Sequence, residues 1–175
     1  MRPPSGPKDE SLVLENLLPG RYWLRLSTGI GYIASATIGG MDLLHEPLVV
    51  GAGASTPIEI KVREDFATIE GTVTGVAVVA GNSAGGYSAP QGWVYLVPLP
   101  DSTGQFHQVV VSEEGKFVES AMAPGSYRVL AFKNRQPNLP YRDAEAMKAY
   151  ETKGQVVQLA AGQKTTVQVQ MIFEQ

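Results

Sequence analysis

The chain has 175 residues, 43% of them hydrophobic, a formal net charge of −3 and no cysteine. That length suits one large domain or two small ones, and the apolar share is enough to bury a core. The missing thiols exclude disulfides, thiolate nucleophiles and cysteine zinc sites within the chain. No Lys/Arg cluster is present to meet a phosphate backbone, which argues against nucleic acid, and no apolar run reaches the length of a membrane-inserted helix.

Residues 1–10 are polar and Pro-rich and read as a flexible lead; they lack the apolar stretch of a signal peptide. Short strands follow. Leu12, Leu14 and Leu17-Leu18 lead into the turn pair Pro19-Gly20. Over Arg21–Ser27, Tyr22, Leu24 and Leu26 alternate with Arg21, Arg25 and Ser27, the period of a strand, interrupted only by Trp23. Tyr32–Ile38, Leu48–Val50 and Pro57–Val62 are the next candidates, the last with Ile58, Ile60 and Val62 on one face and Glu59 and Lys61 on the other. A second series opens at Ala67, where Ile69, Gly71 and Val73 alternate with threonines and Glu70. Residues 75–91, rich in Gly, Ala and Ser, read as a long loop. Trp93–Pro98 is apolar on both faces, as a buried central strand would be. Gln105–Ser112, Gly115–Ser120, Tyr127–Phe132, Val156–Leu159 and Thr165–Phe173 complete the strands, and the helix formers at 142–150 predict one short helix. The 19 glycines and 12 prolines punctuate these runs rather than forming a tract.

The chain repeats itself. The segment from Leu12 through Pro19-Gly20 to Tyr22 aligns with that from Phe117 through Pro124-Gly125 to Tyr127. Ile58, Ile60 and Val62 align with Val167, Val169 and Met171. Two matched segments in one order predict two copies of one β-unit. The expected organisation is a lead at 1–10, a partial first unit at 11–65 and a complete β-sandwich at 66–175. The first copy has no counterpart to the strands at 68–74, 93–98 and 105–112, so it would expose unpaired edges and half a core. Three arrangements would resolve this: further chain upstream, packing of the half-unit on the full unit, or a strand from another chain.

Residues suited to chemistry are sparse. His45 and His107 lie far apart with no ligand spacing and read as structural or surface histidines. No nucleophile elbow surrounds a serine, and Ser83 and Ser88 fall in the Gly-rich loop. The acid pairs Asp9-Glu10, Glu64-Asp65 and Glu113-Glu114 point to opposite faces if extended and read as solvated turns. Asp101–Gly104 is too short for a calcium loop. The sequence therefore calls for no catalytic residue, metal or cofactor, and a small hydrolase is the least supported reading.

The candidate interface or ligand residues are aromatic: Trp23, on the face opposite Tyr22 and Leu24, and Tyr87 and Trp93, which together would suit sugar stacking. Core packing competes for Trp93, which opens an apolar strand, and plain packing competes for Trp23. The turns Pro19-Gly20 and Pro124-Gly125 have a structural reading. Proline fixes φ, glycine admits positive φ, and Tyr22 and Tyr127 then turn their rings inward and their hydroxyls to the backbone, as in the tyrosine corner of Greek-key sandwiches.

The run Leu18-Pro19-Gly20-Arg21-Tyr22, the stretch Gly31–Leu44 and the opening strand Gly71-Thr72-Val73-Thr74-Gly75 resemble the tandem carboxypeptidase regulatory-like domains of large bacterial exported proteins. The resemblance covers nearly all of residues 11–173. It departs in the truncated first unit and in Glu113-Glu114 ahead of Gly115, where one acidic residue or Asn is more usual. It implies an all-β fold of tandem immunoglobulin-like or prealbumin-like units, the first incomplete. It also implies an extracellular, cell-surface or periplasmic setting and a non-catalytic structural or adhesive role. Partners would be other protein domains or copies of the chain, held by strand complementation. The alternative is a carbohydrate-binding accessory domain with glycan partners.

Overall fold

The computed structural model describes residues 16–51, 57–75, 91–100 and 102–173. The lead at 1–10, the segment Leu12–Leu14, most of the loop at 75–91 with Ser83, Tyr87 and Ser88, and Asp101 lie outside the described residues. The fold is all-β with one short helix.

The first half contributes β1 (Gly20–Tyr22), β2 (Tyr32–Ile38), β3 (Met41–Asp42), β4 (Leu48–Val50) and β5 (Glu59–Arg63). Strands β1 and β4 form a two-stranded ribbon, and β3, β2 and β5 form a sheet in that order. Ile33, Ala36, Leu43 and Leu48 are buried together, with Tyr22, Leu24 and Leu26 packed against them. The strand expected over Arg21–Ser27 pairs only through Tyr22. Tyr22 lies opposite Leu48, so the next position meets Pro47, which has no N–H to extend the ladder. The alternation nevertheless persists to Leu26: Tyr22, Leu24 and Leu26 are half-buried, Trp23 and Arg25 exposed.

The second half contributes β6 (Ala67–Thr74), β7 (Gly92–Pro98), β8 (His107–Val111), β9 (Lys116–Met122), β10 (Gly125–Phe132), β11 (Gln155–Leu159) and β12 (Lys164–Ile172). Their order is β8-β7-β10-β12-β6-β9, with β11 also on β10. Strand β12 runs parallel to β6 over Lys164–Gln170, then meets β10 in parallel at Met171 and Ile172. The sheet thereby folds back on itself, and all seven strands contribute to one core that includes Ile69, Leu96, Val111, Phe117, Tyr127, Val129, Leu159 and Val169. Inside it, Gly71 has no room for a side chain. A Cβ there would stand 2.3 Å from the Val167 carbonyl oxygen and 2.7 Å from the Phe117 ring.

Strands β7 and β10 are covered on both faces. Their outer face carries Tyr95, Val97, Leu130 and Phe132, capped by Leu139, Tyr141, Met147 and Tyr150. These come from the segment holding α1 (Ala144–Met147), which continues as a 3-10 turn over Lys148–Tyr150. Asp143 starts the helix by accepting from the Glu145 and Ala146 N–H groups at 3.0 and 3.1 Å.

The sequence repeat has a structural counterpart. In the β1–β4 ladder Gly20 faces Val50 and Tyr22 faces Leu48; in the β10–β11 ladder Gly125 faces Leu159 and Tyr127 faces Val157. The aligned glycines and tyrosines occupy matching places in the two ladders. The copies diverge afterwards. Residues between β1 and β4 form β2 and β3, and β2 takes β5 as an antiparallel partner. The corresponding stretch after β10 instead forms the capping segment with α1.

Candidate functional site

Both tyrosines of the Pro-Gly-x-Tyr turns make the same bond. The Tyr22 hydroxyl donates to the Leu18 carbonyl at 2.8 Å, and the Tyr127 hydroxyl to the Ala123 carbonyl at 2.8 Å. Their surroundings differ. Tyr127 is fully buried, and burial pushes its hydroxyl up to about 12 despite a hydrogen bond with Ser102. Gly125, with φ +140°, packs on Ser102 so closely that a Cβ would lie 2.5 Å from the serine oxygen. Pro19-Gly20 and Tyr22 lie nearer the surface, and Tyr22 is half-buried.

A cleft of about 450 Å³ lies between the two halves. One wall is the extended run Trp23–Arg25 with Leu44 and His45; the other is Val97–Pro100 and Gly104–Phe106 with Tyr141, Arg142 and Met147. Trp23 enters it for a local reason. The alternation that turns Tyr22 and Leu24 inward turns Trp23 outward, 46% exposed.

The walls are tied by a stack of rings and guanidinium groups. The Arg142 guanidinium lies 4.0 Å from the Trp23 ring centre and 4.3 Å from that of Tyr141. Tyr141 stacks on Phe106 with centroids 4.1 Å apart and planes 14° from parallel, and Arg25 stands 6.0 Å from the far end of this stack, the Phe106 ring. Each exposed cation–π contact contributes about 0.5–1 kcal/mol. Beside the stack, the Gln105 amide imitates a strand neighbour: Oε1 accepts from the Leu26 N–H at 3.1 Å and Nε2 donates to the Leu26 carbonyl at 2.9 Å. The Leu26 backbone, beyond the end of the β1–β4 ladder, is thus met by a side chain from the other half.

A second cluster, within the first half, closes the end of β5. The Tyr32 hydroxyl donates to Asp65 at 3.3 Å, and Arg63 forms a fork on the same carboxylate, which it holds below the usual carboxylate range. The cleft's titratable lining is mainly cationic: Arg25, Arg128 and Arg142 against Glu151, with His45 at the rim paired to Asp42 at 2.8 Å. Arg128 is committed to the Tyr150 and Glu151 carbonyls.

Of the aromatic residues singled out by sequence, only Trp23 lines the cleft. Trp93 packs on the outer face of β7 with Arg135 over its ring at 5.5 Å, and Tyr87 lies outside the described residues. Sequence reasoning did not find Arg25, Gln105, Phe106, Tyr141 or Arg142. Arg25 shares the outward face of Trp23, a legible hint; the others meet it only through long-range packing. His107 bridges β8 and β9 through Glu119 at 2.8 Å. Among the described residues no group of three or more His, Asp or Glu side chains converges as metal ligands would. No protein-family model and no curated protein matches the sequence.

Proposed function

We propose that the chain is a non-catalytic β-module of the carboxypeptidase regulatory-like type, a structural or adhesive part of an exported or cell-surface protein that associates with copies of itself. The observation carrying this reading is the unequal covering of matched strands. Val169 and Met171 on β12 are 1% and 4% exposed beneath β6 and its neighbours, whereas the aligned Ile60 and Val62 on β5 are 40% and 44% exposed. Every residue of β5 is exposed, and β2 is its only ladder partner among the described residues. Such a strand has backbone groups and an apolar face available to a donated strand. Light scattering after size exclusion tests it. A defined oligomer that Ile60→Lys with Val62→Lys returns to monomer supports association through β5; a monomer at all concentrations leaves only the spacer role.

A second reading, a carbohydrate-binding accessory module, is favoured by the half-exposed Trp23 in a preformed cleft of ligand size. Titration with soluble oligosaccharides tests it, and no heat or fluorescence change at millimolar ligand would sink it.

A further inference from the structure

We propose that the cleft between the halves binds a carboxylate-bearing sugar, its carboxylate on the edge of Arg142 and its ring against Trp23; this inference rests on the carbohydrate-binding reading. Three features of the cleft carry it. The first is charge: three arginines line the cleft with one carboxylate, Glu151. With Arg128 bonded to the carbonyls of residues 150 and 151, Arg25 and Arg142 remain without an acceptor among the described residues.

The second is the way Arg142 is held. Its guanidinium carbon lies over both the Trp23 ring, at 4.0 Å, and the Tyr141 ring, at 4.3 Å, which restrains the side chain, while its N–H donors meet no acceptor among the described residues. A guanidinium oriented by ring faces is prepared for a planar, two-oxygen acceptor, because the ordering cost of its long side chain has already been met in the free protein. The third is the neighbouring surface. Trp23 keeps nearly half its area in solvent, and Leu24, Leu44 and Pro98 extend an apolar wall. A pyranose ring presents a flat C–H face to such a wall and its hydroxyls to water. A carboxylate alone would use only the arginines, and a neutral sugar only the wall; a uronic acid uses both. An acidic peptide pairing along this wall would find the Leu26 backbone already bonded to Gln105.

The experiment is a titration of the whole chain in a Trp93→Phe background, where Trp23 alone reports, with trigalacturonate, a neutral trisaccharide and triglutamate. The expected result is saturable binding of trigalacturonate that weakens with added salt, about tenfold weaker binding of the other two, and about tenfold loss in Arg142→Gln. Arg25→Gln provides a second test should Arg142→Gln melt early, and Lys133→Gln, away from the cleft, should change nothing. Equal binding of the neutral sugar overturns the acidic preference while leaving the carbohydrate reading intact. Equal binding of triglutamate overturns the assignment to sugar. Unchanged affinity in both arginine variants removes the site from this cleft, and no binding of any ligand overturns both readings.

Discussion

The two Pro-Gly-x-Tyr turns are one local solution in two surroundings. Each tyrosine bonds the carbonyl four residues back, at the same distance, and each leads a strand paired in the same register. Around Tyr127 seven strands close on a large core; around Tyr22 two short sheets supply a small one of Ile33, Ala36, Leu43 and Leu48. The turn geometry is therefore written into the residues of the turn, while the stability it brings is decided by what packs over it. Burial separates the two, and it is open to measurement.

The largest expected difference is at the rings themselves. Tyr127→Ala empties a fully buried site and should cost about 3–5 kcal/mol, as aromatic truncations in cores do. Tyr22→Ala should cost roughly half as much or less, because its ring already meets solvent and the neighbourhood can relax. Urea denaturation of both variants makes the comparison. Equal losses would mean that the first half is as tightly packed as the second.

Alkaline pH sharpens the same contrast. The Tyr127 hydroxyl, ordinarily near 10, is raised to about 12 in the folded chain. The unfolded chain therefore gives up its proton first. The stability from keeping Tyr127 neutral is complete below pH 10 and drains away as pH climbs towards 12, a loss of about 2–3 kcal/mol. Denaturation midpoints measured from pH 9 to 12 should fall along this curve, and Tyr127→Phe should flatten it. A curve unchanged by that substitution would assign the alkaline loss to other groups.

Matched strand positions give the next comparison. Val169→Ala should cost about 1.5–3 kcal/mol, the scale of a buried aliphatic side chain, whereas Ile60→Ala should cost under about 1 kcal/mol in the monomer. If the chain associates through β5, Ile60→Ala weakens association much more than folding, and the dependence of the melting temperature on concentration separates the two effects.

Much of this was legible in the residues. Alternation located β5, β6 and β12, the unbroken apolar run Trp93–Pro98 marked β7 as buried on both faces, and helix formers located α1 within its short capping segment. The repeat matched the two Pro-Gly-x-Tyr turns; the shared register of β1–β4 and β10–β11 lay outside the aligned segments. Periodicity fell short at Trp23–Ser27, where the pattern is that of a strand but Pro47 opposite removes the partner. It also had no means of finding the cleft. The Trp23–Arg142 and Leu26–Gln105 contacts join positions distant in sequence, and nothing in the local composition of either partner announces the other. Aromatic residues alone selected Tyr87 and Trp93 beside Trp23, because side-chain type carries no information about which rings share a surface.

The Gln105–Leu26 bridge decides whether the two halves behave as one body. Gln105→Ala removes both hydrogen bonds to Leu26 and leaves that backbone half-buried without a ladder. The expected cost is about 1–2 kcal/mol, since each neutral bond contributes about 1 kcal/mol net. What matters is how the loss is distributed. If the Arg142 stack suffices to keep the halves coupled, the variant unfolds in a single calorimetric transition shifted downward. If Gln105 is the main tie, the first half melts separately and earlier, and Tyr22 loses its cooperative link to the core around Tyr127. In that event the incomplete half depends on its neighbour for order, and the cleft between them exists only while Gln105 holds Leu26 in place.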